Sequence, residues 1–308
     1  MLAKKNAHPR DENIVFDPIP HKYTILTDKE STYTSVTTWI HSHFEKFDAD
    51  EIIQKMMAGR NWNSLHKNWG MTPEEIKASW DTNCNIQASA GTDMHYQIEC
   101  FQNGEKGIPF SNNNGNNNGI IKSYTHKDLY DKYNILIEQE CTENEQKYSR
   151  PIEWEFFLNY IQDTANYIPY RTEWMVYHEK YKLSGSIDMV YEDPDPNKPG
   201  VLWIYDWKRC KNIISKVQFN KYAKTKCISY IPDTNYWHYA IQLNTYKRIL
   251  EDKYDKKITD LYLVVLHPNN VNYLKIKMPD LSSEIDALLE ERLREINSNE
   301  SKNNIEIS

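Results

Sequence analysis

Gly185-Ser186-Ile187-Asp188-Met189-Val190-Tyr191-Glu192 is followed by Asp193-Pro194-Asp195-Pro196-Asn197-Lys198-Pro199-Gly200 and then by Val201-Leu202-Trp203-Ile204-Tyr205-Asp206-Trp207-Lys208. Two apolar, β-branched and aromatic runs flank a stretch dense in Asp, Asn, Pro and Gly, which is the composition of a reverse connection. Strands are therefore expected over 184–192 and 201–207, joined as a hairpin. Side chains alternate faces along a strand, so Asp206 and Lys208 project together. If the hairpin is symmetric about Asn197, Asp188 lies opposite Asp206, because 197 is midway between 188 and 206. Facing residues of an antiparallel pair lie about 4.5–5.5 Å apart at Cα. Two carboxylates that close repel unless a cation neutralises them or one keeps its proton. A hard divalent ion, Mg²⁺ or Mn²⁺, accounts for the arrangement, with Lys208 placed to orient a water or to offset charge developing on a phosphate. Taken alone, an Asp-x-Lys triplet is as well explained by a surface ion pair on an edge strand. The apolar Val201, Leu202, Trp203 and Ile204 before it favour a central strand.

A further strand is expected over 171–178, where Glu173 would add a third acid to this face. Downstream, an amphipathic helix over 236–254 sets Gln242 and Tyr246 one turn apart, on a face shared with Tyr239 and Ile249. That face either presents an amide and a phenol to a phosphate or base, or Tyr246 is core and Gln242 satisfies a neighbouring backbone group. Upstream, Gly91-Thr92-Asp93-Met94-His95 lies in a helix expected over 88–101, and His95 is a candidate imidazole ligand. A lone histidine is more often a hydrogen-bonded, partly buried side chain.

The rest of the chain supplies support. Residues 14–37 read as short strands and turns, followed by a helix over 35–44. Thr72-Pro73-Glu74-Glu75 has the form of a capped helix start. Further helices are expected over 151–165 and 281–296, and strands over 261–266 and 271–276. The Asn-rich stretch 111–119 offers no core-forming side chain and is expected to be a surface loop. The tail 297–308 is polar and expected to fray.

At 308 residues the chain suits one α/β domain with helical additions. Aromatic residues make up 13 % of it, including 22 Tyr and 9 Trp, which argues against disorder. No stretch approaches the roughly 20 apolar residues of a membrane span, and residues 1–10 lack the apolar core of a signal peptide, so a soluble intracellular protein is expected. Cys84, Cys100, Cys141, Cys210 and Cys227 are singly scattered, which fits reduced thiols rather than zinc or an iron–sulfur cluster. The net charge of -7 excludes a surface that is basic all over. Between Asp206 and Lys226, however, seven basic residues, Lys208, Arg209, Lys211, Lys216, Lys221, Lys224 and Lys226, stand against one acid. This is either a local phosphate-binding patch or a solvated lysine-rich loop.

Taken in order, Gly91 to His95, Glu173, Gly185 to Asp188, Asp206-Trp207-Lys208 and Gln242 to Tyr246 resemble the RecB-type branch of the PD-(D/E)XK nucleases. His21-Lys22-Tyr23 and Ser35-Val36-Thr37 are similar to the opening segment of the mitochondrial genome maintenance exonuclease and related phage and large-DNA-virus proteins. The resemblance covers roughly residues 17–266. It implies an α/β, restriction-endonuclease-like fold: a central mixed sheet flanked by helices, with helical N-terminal and inserted elements. The implied organisation is a single nuclease domain over 1–296, with a prelude over 14–80 and a catalytic core over about 85–277. It implies a metal held by His95, Asp188, Asp206 and the carbonyl of Trp207, with Lys208 as the catalytic lysine. Glu173 matches an acidic position whose role varies, and Gln242 and Tyr246 match a helix that borders the site and contacts DNA. The DNA-binding set extends to Arg209, Lys211, Lys216, Lys221 and Lys224.

The function so implied is Mg²⁺- or Mn²⁺-dependent hydrolysis of DNA, chiefly as an exonuclease on single strands or free ends in replication, recombination or repair. The alternatives are a nuclease-fold DNA-binding scaffold without activity and a structure-specific, flap-type endonuclease. Some relatives carry an iron–sulfur cluster on four cysteines, a pattern these cysteines do not fit. No helicase phosphate-binding loop is present, so unwinding would need a separate replication or helicase partner. The richness in Asn, Lys, Ile and Tyr suggests an AT-rich genome, such as that of a large DNA virus, phage or protist.

Overall fold

A computed structural model describes residues 2–104, 124–143 and 151–306. The chain begins with α1 (Leu2–Lys5), the hairpin β1 (Ile14–Asp17) and β2 (Lys22–Ile25), the two-residue β3 (Thr34–Ser35), α2 (Val36–His41) and α3 (Ala49–Met57). Three helices follow: α4 (Pro73–Asn103), α5 (His126–Glu143) and α6 (Ile152–Asp163). Then come β4 (Ile168–His178), β5 (Leu183–Glu192), β6 (Val201–Lys208), α7 (Asn235–Lys253), β7 (Lys257–Val265), β8 (Leu274–Lys277) and α8 (Ser282–Glu306).

The central sheet is mixed, with the order β3-β5-β6-β7-β8 and β4 paired along β5. β5 and β6 are antiparallel, β6 and β7 parallel, and α7 makes the crossover between the parallel pair. Helices cover both faces. Val36, Trp39 and Ile40 of α2, Ala240 to Leu250 of α7 and Ile285 to Leu289 of α8 pack in one core with Leu202 and Ile204. Met94, Ile98 and Phe101 of α4, Leu129 and Tyr133 of α5, and Trp154 to Ile161 of α6 pack in the other with Tyr205 and Trp207. The fold is thus the α/β, helix-flanked mixed sheet expected for a restriction-endonuclease-like architecture.

Pairs Met189↔Tyr205 and Val190↔Ile204 share the register that is symmetric about Asn197, and the ladder ends one residue short of Asp188 and Asp206. On the other edge, β4 runs beside β5 from His178↔Leu183 to Ile168↔Glu192. β3 pairs only with Leu183 and Ser184, and must therefore take the edge that β6 holds further along. Residues 185–188 lie between these two partners, and the sheet opens there.

Two elements differ from expectation. The helix that starts at Thr72 and the one that carries His95 are a single 31-residue helix. Thr72 and Glu75 form a capping box at its start and Gly104, at φ 64°, ends it. No proline interrupts the interval, and Ala78, Ala88 and Ala90 favour helix, so the two segments merge. The tail expected to fray from Asn297 instead remains helical to Glu306, again with no Gly or Pro to stop it. The Asn-rich stretch 111–119 and the side chain of Cys141 lie outside the described residues, while Cys84, Cys100, Cys210 and Cys227 are free thiols. No described helix is long and apolar enough to cross a membrane.

Candidate metal centre

Where β5 and β6 part, backbone groups of Trp207 lose their strand partner, and side chains replace it. The Trp207 N–H donates to Asp188 Oδ2 at 2.9 Å, and the Trp207 carbonyl lies 3.0 Å from His95 Nε2. His95 thus reaches the end of β6 from the middle of α4. Its other ring nitrogen, Nδ1, is 3.6 Å from Asp188 Oδ2 and 3.9 Å from Glu173 Oε1. Ligand atoms of His95, Glu173 and Asp188 all lie within 4.8 Å of one another.

Glu173 is held there at a conformational cost. The register that pairs Thr172 with Met189 and Trp174 with Ile187 sets it opposite Asp188. Its φ is 43°, in the left-handed region that costs an L-residue about 1–2 kcal/mol. Ser186 Oγ donates to Glu173 Oε2 at 3.1 Å. Side-chain alternation slips at the same place: Ile187 and Val190 pack in the α7-side core, whereas Met189 and Tyr191 pack in the other.

Asp206 and Lys208 complete the cluster. The Lys208 ammonium is 2.6 Å from Asp206 Oδ2, as an ion pair that leaves this buried oxygen without an aligned hydrogen bond. It also lies 4.8 Å from the centre of the Tyr239 ring. Burial raises Asp206 above the usual carboxylate range, with Lys208 opposing and Asp188 reinforcing the shift. Burial works against the Lys208 ammonium, but Asp206 and Asp188 outweigh it, so Lys208 keeps its proton. Burial likewise opposes a charged His95, yet the charge of Asp188 and the nearby carboxylate of Glu173 lift it to about 9.

The group formed by the Glu173 and Asp188 carboxylates and the His95 imidazole fits a hard divalent cation, and Asp206, paired with Lys208, adds negative charge beside it. The carboxylates that hold a proton on His95 would equally favour a cation, which competes with that proton.

The remaining sequence candidates are distributed around this cluster. Tyr246 is only 3 % exposed, and its hydroxyl hydrogen-bonds to the Gln242 side chain. Gly185 is required by this contact, since a Cβ there would meet Tyr246 Oη at 2.6 Å. Tyr246 therefore braces the wall of the site from inside the core. Arg209 is engaged by Glu153 at 2.7 Å, while Lys211, Lys216, Lys221 and Lys224 are exposed. Tyr23 was missed as a site residue. It is buried beside the cluster, and burial together with the charges of Glu173 and Asp188 pushes its phenol up to about 12. It sits on β2, remote in sequence, within the His21-Lys22-Tyr23 segment that carries part of the resemblance but offers no signal of its place beside the acids.

Comparison with protein-family models and with curated proteins returns no match. Among solved structures, the chain is similar to a crystal structure of a "Putative exonuclease" from Eubacterium rectale, at 13 % identity and a TM-score of 0.33, over 86 % of this chain and 79 % of that one. A likeness this loose carries no argument about mechanism.

Proposed function

We propose that the chain is a divalent-metal-dependent nuclease that hydrolyses DNA phosphodiesters, acting as an exonuclease on single strands or free ends. The observation that carries the reading is the convergence of His95, Glu173 and Asp188 on the end of the strand that bears Asp206 and Lys208. His95, Asp188, Asp206 and the Trp207 carbonyl would hold Mg²⁺ or Mn²⁺, with Glu173, grouped with His95 and Asp188, as a further acidic ligand. When bound, such a cation supplies Lewis acidity toward a phosphoryl oxygen and makes water more acidic. Lys208, kept protonated by its acidic neighbours, offsets negative charge that grows on the phosphate in the transition state. Gln242 reaches the site through Tyr246 and orients its wall. Phosphates along the strand are met by the exposed Lys211, Lys216, Lys221 and Lys224, whereas Arg209 spends its guanidinium on Glu153.

The test is digestion of end-labelled linear and circular single-stranded DNA with Mg²⁺, Mn²⁺ or EDTA, comparing the wild type with Asp206→Asn and Lys208→Ala. Metal-dependent loss of the linear form alone, reduced roughly 10²-fold or more by each substitution, is the expected outcome. Cutting of circles makes the protein an endonuclease. Binding without cutting under any metal replaces the nuclease reading with that of a scaffold.

A further inference from the structure

Between β6 and α7 the chain runs through residues 209–234, with no acidic side chain from Trp207 to Pro232. Both ends of this segment are fastened. Asn235 accepts from the Ile214 N–H at 2.9 Å and donates to the Asn212 carbonyl at 2.7 Å, and the Trp237 indole N–H donates to the Ser215 carbonyl at 2.9 Å. Further along, Ala223, Ile228 and Ile231 are buried in the α7-side core, Tyr222 bridges to Pro232, and the Lys224 N–H donates to the His43 carbonyl.

Between the anchors, residues 216–222 stand in solvent. Phe219 is 91 % exposed. Phe219 and Asn220 both hold φ 53°, which is costly for residues with a Cβ. Burying a Phe side chain would gain about 1.5–3 kcal/mol, so this ring stays outside because the fastened turn carries it there. Lys216, Lys221 and Lys224 are exposed nearby. An exposed aromatic ring in a stretch that carries lysines and no carboxylate between Trp207 and Pro232 complements a ligand that combines flat rings with negative charge. Unpaired nucleotides meet that description; in a duplex the base faces are already covered. The segment leads into α7, whose Tyr239 lies against Lys208 at the metal centre.

We infer that Phe219 is a base-stacking residue and that the 216–222 turn is a clamp selecting unpaired nucleic acid; that the strand so held is the one presented to Lys208 rests on the nuclease reading. The test is fluorescence anisotropy in EDTA, using labelled oligothymidylate and an abasic deoxyribose-phosphate chain of equal length. The wild type should bind the base-bearing strand roughly tenfold more tightly or better, the scale of one base–aromatic stack. Phe219→Ala should remove that preference and leave affinity for the abasic chain unchanged, with an unaltered melting temperature because the ring packs on nothing. Phe219→Trp should keep the preference. Replacing Lys216, Lys221 and Lys224 together by Ala should weaken both ligands and reduce the salt dependence.

A wild type that binds both chains equally, or a Phe219→Ala protein that retains the full preference, overturns the inference. The latter result is also the one expected if Phe219 instead contacts a protein. Because the assay contains no metal, the two readings can fail separately. A protein that prefers bases through Phe219 but cuts nothing loses only the nuclease reading, whereas a metal-dependent nuclease indifferent to Phe219→Ala loses only the clamp.

Discussion

Gly185→Ala is the substitution that most directly tests how the site is built. Gly185 has no left-handed backbone to explain it, so only space is at issue. An added Cβ would lie 2.6 Å from Tyr246 Oη, 2.9 Å from Cε1 and 3.2 Å from Cζ. Tyr246 cannot step aside, being buried on α7 among Leu243, Ile249 and Leu250. Overpacking of this kind costs about 1–3 kcal/mol. Tyr246→Phe alone should cost about 1 kcal/mol through the lost hydroxyl hydrogen bond. The double variant should be more stable than the sum of the two by about 1 kcal/mol, with only partial relief because the Cε1 contact remains. Urea denaturation of the four proteins in EDTA measures the cycle. Asp188 lies three residues beyond Gly185, so metal-dependent cleavage should fall in Gly185→Ala by more than the loss of folded protein explains. An additive cycle, or a Gly185→Ala protein as stable as the wild type, would refute the argument that Tyr246 braces this edge.

Other consequences follow from strain and burial. Glu173→Asn places a residue tolerant of left-handed φ at that position and removes a carboxylate facing Asp188, so stability in EDTA should rise by up to about 1 kcal/mol; the upward shift of melting temperature on adding Mn²⁺ should shrink. A less stable variant with an undiminished Mn²⁺ shift would count against both the strain and the ligand role. His126 is fully buried, with Nδ1 2.8 Å from Thr164 Oγ1 and Nε2 3.2 Å from Gln102 Nε2, and burial holds its pKa down near 3. The unfolded chain takes up that proton below about 6.5 while the folded chain does not, so stability present above that pH is lost as pH falls. His126→Gln should lower stability at pH 7 but flatten the acid limb relative to the wild type; a difference between the two that stays constant from pH 7 to 4.5 would show that His126 takes up its proton in the folded chain as readily as in the unfolded one, contrary to the effect of burial argued here.

The fold was legible where local chemistry agrees with the tertiary result. Turn residues at 193–200 set a register symmetric about Asn197, and apolar Val201 to Ile204 marked a strand covered on both faces. Helix starts carried their signals too, as at Thr72 and Ser35, whose hydroxyl accepts from the Thr38 N–H. Merging of the two α4 segments was not legible, because residues 81–89 are exposed on every side and carry no apolar period to follow. The helix over His126–Glu143 was also unmarked, since Lys, Asp, Glu and Tyr dilute its apolar stripe.

At the candidate site, regular alternation was a sufficient guide to Asp206 and Lys208 but not to Asp188. Alternation holds along β6, where Leu202 and Ile204 share a core. It fails across 187–190 of β5, opposite the left-handed Glu173, and no residue type there announces the failure. The consequence is structural as well as interpretive. A strand continuing in register would satisfy Trp207 through its own backbone; with β5 turned and β3 only two residues long, Asp188 and His95 satisfy it instead. The strain at Glu173, the open edge at 185–188 and the close approach of Tyr246 to Gly185 are therefore parts of one arrangement. Each lies where the β5–β6 ladder is interrupted, so that side chains of His95 and Asp188 meet the backbone of Trp207 in place of a regular strand.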